Sequence, residues 1–259
     1  MHDIGLTGLL TAYLLLLAPL AIILWLRVPM LSSMAWAVLR MTVQLLLVGL
    51  YLHFVFDLDH LAVNLAWLFI MVVVADASVL SGSGLKLSRL GAAVFVAIAA
   101  GTLLPVLVFT GGILRLERLF EAQYLIPITG MVLGNCLRAD IVGLRAFYGA
   151  MRKNRNACQL CLAQGATLHE MIRPWFRDAL EAALAPTVAT MATIGLVALP
   201  GMMTGVILAG ADPFTAVKYQ IAIMIAIFAG TALTVLLAIR LSLRSTFDAY
   251  GNLDEKIFR

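Results

Sequence analysis

Charge is what this chain has least of. Of its 259 residues only 12% are Asp, Glu, Lys or Arg, about half the share a soluble domain carries. Against that, 63% are hydrophobic and the mean hydropathy is +1.01. Soluble globular and disordered classes are excluded. Cysteine is also scarce: three residues cannot build the disulfide framework of a small secreted protein. No Gly-x-x-x-x-Gly-Lys phosphate loop occurs, so the chain has no nucleotide-hydrolysing module of its own. Fixed-period repeats, heptads and low-complexity tracts are absent as well. The 18 cations exceed the 14 anions by only four, which gives no footprint for nucleic acid.

What is present is long apolar runs. They extend over Ile4 to Leu26, Met34 to Phe56, Leu61 to Leu80, Leu90 to Thr110, Tyr124 to Tyr148, Ala179 to Leu199 and Phe214 to Ile239. Each approaches or exceeds the roughly 20 residues that cross a bilayer. The first has no preceding cation and no small-residue cleavage site, and is expected to be a retained helix. The expected fold is therefore all-α, a polytopic membrane protein of about seven transmembrane helices forming one permease domain over residues 1–259.

Cation placement orients these spans, because Lys and Arg stay on the cytoplasmic side. Arg27 and Arg40 flank the first connection, Lys86 and Arg89 lie in the third, and Arg145, Arg152, Lys153, Arg155, Arg173 and Arg177 crowd the fifth. The second has no cation, the fourth balances Arg115 and Arg118 with Glu117 and Glu121, and the sixth has only Lys218 beside Asp212. With Arg240, Arg244, Lys256 and Arg259 in the tail, the C-terminus is expected inside and the N-terminus outside, in a bacterial inner membrane.

The 33 residues from Ala179 to Ala211 would make one helix about 50 Å long, more than a hydrocarbon core of about 30 Å accepts. Pro200 and Gly201 are expected to break it, leaving Met202 to Gly210 as a short broken or re-entrant segment on the outer side. Irregular backbone at that depth must be buried in protein or line a cavity, so this segment is a candidate for the transport path.

Residues 150–178 differ in character. Leu160, Cys161, Leu168, Met171 and Ile172 recur at helical spacing, Gly165 interrupts them and Pro174 closes the stretch. Two short helices joined at Gly165-Ala166-Thr167 are expected, with Thr167 capping the second and Glu170 at the capping-box position. An amphipathic element on the cytosolic face can dock into a partner's groove or rest on anionic headgroups.

The string Gln159-Leu-Cys-Leu-Ala-Gln-Gly165-Ala-Thr resembles the cytoplasmic loop by which ATP-binding-cassette permeases seat in their ATPase. Ile126-Pro-Ile-Thr-Gly-Met-Val-Leu-Gly-Asn135, Gly195-Leu-Val-Ala-Leu-Pro-Gly-Met-Met-Thr-Gly205, Ala209-Gly-Ala-Asp-Pro213 and Lys218-Tyr-Gln220 are similar to the FetB-type iron-export permease family, which includes plant aluminium-tolerance half-transporters. The likeness runs from Arg40-Met-Thr-Val-Gln44 to about Thr234. It implies a seven-span permease subunit of an ATP-driven exporter of iron or another metal, homodimeric in the bilayer and coupled to a separate FetA-like ABC ATPase. No cofactor would be bound by this chain; ATP and Mg would belong to the partner. Docking would fall to Gln159, Gln164, Gly165, Ala166 and Thr167. Two departures stand out: Gln159 replaces a Glu-Ala-Ala-like loop start, and Arg138 and Asp140 interrupt a usually uncharged run.

Further candidates come from the residues. Ionisable groups inside a span cost several kcal/mol unless paired or hydrated; Arg138 and Asp140 either line a cytosol-open vestibule or, the more ordinary reading, form an interfacial structural pair near the inner end of their span. Met131, Asn135, Met202 and Met203 offer thioether and amide ligands weak enough to release a passing metal, although methionine is commonly a gap filler. Pro200 and Gly201 fit a conformational role. His53, Asp57, Asp59 and His60 at the outer mouth would suit a divalent ion, with a solvated loop as the usual alternative. Cys158-x-x-Cys161 lacks the four ligands of a zinc site. An intramembrane protease using Asp76 and Asp140 lacks the sequence setting of that class. The alternative function is a secondary transporter, against which stands the expectation of no deeply buried carboxylate, or a metal-stress membrane protein with a non-metal substrate.

Overall fold

The computed structural model describes residues 5–58, 60–116, 118, 120–248 and 251–259. Ile4, Glu117 and Asp59 therefore lie outside the described residues. Among those described there are no strands, only isolated bridges. The chain divides into two compact units, Met1–Leu58 and Asp59–Arg259.

The first unit holds α1 (Leu6–Leu14), α2 (Leu17–Trp25) and α3 (Leu31–Leu58). Thr7–Trp25 and Leu31–Leu58 are both long and apolar enough to cross a membrane. A hydrogen bond between the hydroxyls of Tyr13 and Thr42 ties α1 to α3. Most of the unit's large apolar side chains, Leu15, Trp25, Trp36 and Leu50 among them, remain exposed, as lipid-facing residues do.

The second unit contains α4 (Leu61–Ser83), α5 (Leu87–Leu107), α6 (Ala122–Lys153), α7 (Arg155–Ala163), α8 (Leu168–Thr193), α9 (Gly201–Leu208) and α10 (Pro213–Thr246). Pro105 lies inside α5, and the chain then rewinds into a π-helical turn over Val108–Ile113, closed by Leu114 N–H to the Phe109 carbonyl at 2.9 Å. Proline lacks the amide that an α-helix needs, and such π turns absorb the defect. Across the described residues, six helical segments qualify as spans by length and composition, the four in this unit being Leu61–Ser83, Leu87–Ile113, Ala122–Lys153 and Pro213–Thr246.

The expected span over Ala179 to Leu199 differs. It ends at Thr193, and it begins eleven residues early because the second of the two short helices expected over residues 150–178 and the span are one helix, α8, running through Pro174 and Pro186. Pro174 does not close the stretch. Met171, Ile172, Ala179 and Ala183 bury one face of α8 in the core, and that continuous burial outweighs the lost proline amides. Nor does the break fall at Pro200-Gly201. The chain turns at Ile194-Gly195, where Gly195 takes φ +86°, a conformation other residues rarely adopt. Pro200 instead precedes the short helix α9 as its N-cap residue, and Gly201 opens that helix.

One core cluster joins α4, α5, α6, α8 and α10 around Leu80, Leu90, Phe147, Tyr148 and Ile239; a second forms around Leu68, Phe109, Val132 and Ile223. α5 and α10 are the most extensively packed pair, and they meet through glycine. A Cβ placed on Gly101 would stand 2.7 Å from the backbone nitrogen of Thr234. Close crossings at small residues are how membrane helices gain packing without a hydrophobic drive.

The C-terminal residues form a strap across the cation-rich ends of these helices. Ile257 is fully buried, Lys86 N–H donates to its carbonyl at 2.8 Å, and Arg259 N–H donates to Gly84 O at 3.0 Å. Glu255 meets Arg152 at 3.7 Å and Arg155 at 3.3 Å, and Arg152 lies over the Phe258 ring.

Candidate functional site

Three features of the second unit are candidates for a functional site: an exposed elbow, a cavity, and a buried polar knot.

The elbow joins α7 to α8. Its first half is a Schellman turn: Gly165 N–H donates to Leu162 O at 3.0 Å and Ala166 N–H to Cys161 O at 3.1 Å, with Gly165 at φ +93°. Its second half is the expected capping box. Thr167 Oγ1 accepts from Glu170 N–H at 3.3 Å, while Thr167 N–H and its hydroxyl donate to Glu170 Oε2 at 2.8 and 2.7 Å. Those bonds to the ionised form hold the Glu170 carboxyl below its ordinary value. Gln164, Gly165 and Thr167 are exposed and Ala166 half-buried; Leu160 beside them is 59% exposed. Gln159 is placed differently, its amide donating to Asn252 Oδ1 of the strap at 3.1 Å. Cys158 points inward, where burial pushes its thiol up, and Cys161 is exposed.

The cavity, about 200 Å³, lies between α6, α8 and α10. Asn135 and Arg138 face it from α6, Thr187 and Thr190 from α8, and Met224 and Ile227 from α10. Each helix contributes a pair at i, i+3, the spacing of one helical face. Asn135 donates one amide proton to Met131 O at 2.8 Å, and Thr190 its hydroxyl to Pro186 O at 2.9 Å. Among the described residues Arg138 makes no ion pair, and it is the one charged side chain lining the cavity. At about 30 Å³ per water, the space suits a small hydrated or ligand-bound species.

The polar knot is on the other side of α6. Asp140 is fully buried, and neither carboxylate oxygen has a hydrogen-bond partner among the described residues. Cys136, one turn earlier, and Thr234 of α10 lie beside it, and Thr102 and Thr231 lie beside Cys136. The knot brings a carboxyl, a thiol and hydroxyls from three helices together, a donor set suited to a cation or a proton.

Arg138 and Asp140 are thus not an interfacial pair. Two positions apart on a helix they point about 200° away from each other, one into the cavity and one into the core. The expectation of no deeply buried carboxylate is likewise overturned by Asp140. Asp76, 6% exposed, lies against Gly91 at the contact of α4 with α5, and it makes no hydrogen bond to Asp140. Met131 and Met202 pack against the second core cluster, as gap fillers do; Met203 is half-buried on α9.

The four residues of the outer-mouth set are divided between the two units. His53 Nδ1 pairs with Asp57 Oδ2 at 3.3 Å in the first unit, both highly exposed. His60 Nδ1, in the second, accepts from Ala62 N–H at 3.3 Å as the cap of α4, and Asp59 is outside the described residues. Among the described residues no group of three His, Cys, Asp or Glu is placed to hold a metal ion.

Sequence reasoning missed Thr102, Thr231 and Thr234 in the knot and Thr187, Thr190 and Met224 in the cavity. A signal was available: Gly230-Thr231 and Thr234, with Cys136, Asp140 and Gly143, form small and polar stripes at three- and four-residue spacing inside apolar helices.

The profile of the family described as "Uncharacterised protein family (UPF0014)" matches residues 6–247. The chain is 33% identical over 225 residues to the UPF0014 membrane protein YjkA of Bacillus subtilis, covering 86% of this chain and 88% of that one. It is 31% identical over 219 residues to the protein named "Probable iron export permease protein FetB" of Escherichia coli, covering 84% and 83%. To the protein ALUMINUM SENSITIVE 3 of Arabidopsis thaliana it is 32% identical over 197 residues, covering 74% and 69%. No solved structure matches it. With a profile spanning nearly the whole chain and relatives aligned over most of their own lengths, this protein belongs to the UPF0014 family of membrane proteins.

Proposed function

We propose that this chain is the membrane-spanning subunit of an ATP-driven exporter of iron or another metal, working as a homodimer with a separate ABC ATPase that holds ATP and Mg. The observation that carries the reading is the continuity of α8. The exposed elbow at Gln164 to Thr167 opens a helix that reaches, about 33 Å further along its axis, the Thr187 and Thr190 face of the cavity. A partner that moves the elbow moves a cavity wall with it, and Pro174 and Pro186 are the points at which such a lever bends. Differential packing in two states is what a driven switch requires. The name of the Escherichia coli relative supports the substrate class. Arg138 narrows it: a guanidinium repels a bare divalent cation, so the cavity suits a metal carried with anionic ligands.

The test is transport into inside-out vesicles holding this chain with and without its ATPase, comparing iron, manganese and cobalt, free and as citrate complexes, with an organic control. The proposal expects ATP-dependent uptake that requires the ATPase and fails when Gly165 or Ala166 carries a bulky acidic side chain. Uptake without ATPase, or ATPase stimulation unaffected by those changes, overturns it.

A second reading, an ion-coupled secondary transporter, is favoured by Asp140. A fully buried carboxyl with no hydrogen-bond partner among the described residues is the kind of group that carries a coupling proton through a membrane protein. In that case a pH gradient alone drives uptake and Asp140→Asn abolishes it.

A further inference from the structure

A groove between the cation-rich ends of α8 and α10 has no part in the transport reading and stands independently of it. His169, Arg173 and Phe176 of α8 with Arg240 and Leu243 of α10 line a cavity of about 330 Å³, over the buried side chain of Ile172. Helical spacing builds it, since residues 169, 172, 173 and 176 fall on one face of α8 and residues 240 and 243 on one face of α10. The result is an apolar floor with a basic rim. Phe176 and Leu243 are half-buried, while Arg173, Arg240 and His169 are exposed.

The rim's charge is not neutralised within the chain. Neither Arg173 nor Arg240 makes an ion pair among the described residues, and the same holds for Arg177 and Arg244 one turn along each helix. Glu170 stands at the groove's edge, but its Oε2 is turned back to Thr167 at 2.8 and 2.7 Å. Two guanidiniums therefore converge on a space whose one acidic lining residue, Glu170, pairs with neither of them among the described residues.

Depth decides what the partner is. The uncharged run of α10 from Tyr219 to Ile239 ends at Arg240, and the apolar part of α8 starts at Ala179, under two turns past Arg173. Both guanidiniums stand where the hydrocarbon-facing segments end, which is the level of lipid phosphates, and basic pockets between helices at that level hold anionic headgroups. A free anion has no use for the floor of Ile172, Phe176 and Leu243; the glycerol and first methylenes of a phospholipid do. We propose that this groove binds an anionic phospholipid, its phosphate between Arg173 and Arg240 and its glycerol end against Phe176 and Leu243.

The experiment is native mass spectrometry of the full chain in neutral detergent with phosphatidylglycerol and phosphatidylcholine at equal mole fraction. Wild type is expected to retain phosphatidylglycerol preferentially, and Arg173→Ala/Arg240→Ala to lose about thirtyfold of that retention, from roughly 1 kcal/mol per cation. Arg173→Lys/Arg240→Lys is expected to keep most of it, and millimolar inorganic phosphate not to displace the lipid. Equal retention of phosphatidylcholine by wild type overturns the proposal without recourse to any variant. So does unchanged retention in the double alanine variant, or displacement by phosphate, which makes the groove a soluble-anion site. Intact lipid selectivity with lost ATPase association in the double alanine variant also overturns it, making the groove a protein-docking surface.

Discussion

Replacing Gly101 by alanine tests the packing that holds the polar knot together. A Cβ there would lie 2.5 Å from Thr234 Cγ2, 2.7 Å from Thr234 N and 2.9 Å from Thr234 Cα. Ordinary carbon contacts are about 3.5 to 4.0 Å, so α5 and α10 would have to separate by roughly 1 Å. The methyl could rotate away, but the backbone atoms cannot. Overpacking of this kind costs about 1 to 3 kcal/mol. Gly134 of α6 supplies the opposite case, with nothing within 4 Å of a Cβ built on it; there alanine removes only the glycine penalty and is expected to add about 0.5 to 1 kcal/mol. Denaturant unfolding of both variants in one detergent should therefore differ by about 1.5 to 4 kcal/mol, with Gly101→Ala the weaker. Adding Thr234→Ser should rescue Gly101→Ala only in part, because it removes one contact of the three. Equal stability of Gly101→Ala and Gly134→Ala would refute the close crossing.

Gly165→Val forces a β-branched residue to φ +93°, an expected cost of about 1 to 2 kcal/mol, and should reduce ATPase stimulation in reconstituted complexes while leaving the spans folded by circular dichroism. Thr167→Ala removes the capping box and should lower stability by about 1 kcal/mol, measured by thermal unfolding. The Glu170 carboxyl is held below its ordinary value in the folded protein, so its contribution is complete above about pH 5 and is lost as pH falls through that lowered value; unfolding at pH 7 and near pH 3 should show the Thr167→Ala deficit shrinking in acid. Ile257→Ala empties a fully buried site, is expected to cost about 2 to 5 kcal/mol, and should expose the α6–α7 junction near Arg152 and Arg155 to trypsin. Asp140→Asn should keep the fold, being isosteric, and change transport at least tenfold, read in the vesicle assay; unchanged transport would make the knot structural.

The long spans and the elbow were legible because both are local. Apolar run length marks a span, and Thr167 with Glu170 announces a helix start within four residues. The break after span six was not legible at its true place. Pro200 and Gly201 look like the stronger punctuation, but the turn is at Ile194-Gly195, where Gly195 takes φ +86° and α8 has already run ten residues past its last buried side chain, Ala183. Asp140 illustrates the same limit. A sequence says that Arg138 and Asp140 face apart on a helix, not which of them meets α5 and α10; that depends on which neighbours fill the core. The strap was illegible for a related reason, since Ile257 and Glu255 find their partners at Lys86, Arg152 and Arg155, far away in the chain.

The most direct test of the central claim is metal uptake by inside-out vesicles containing this chain, measured with ATP in the presence and absence of the cognate ATPase and with no ion gradient. The account predicts ligand-bound iron or another metal accumulating only when both subunits and ATP are present. Accumulation by the chain alone under a pH gradient, or none with the complete complex and ATP, would contradict it.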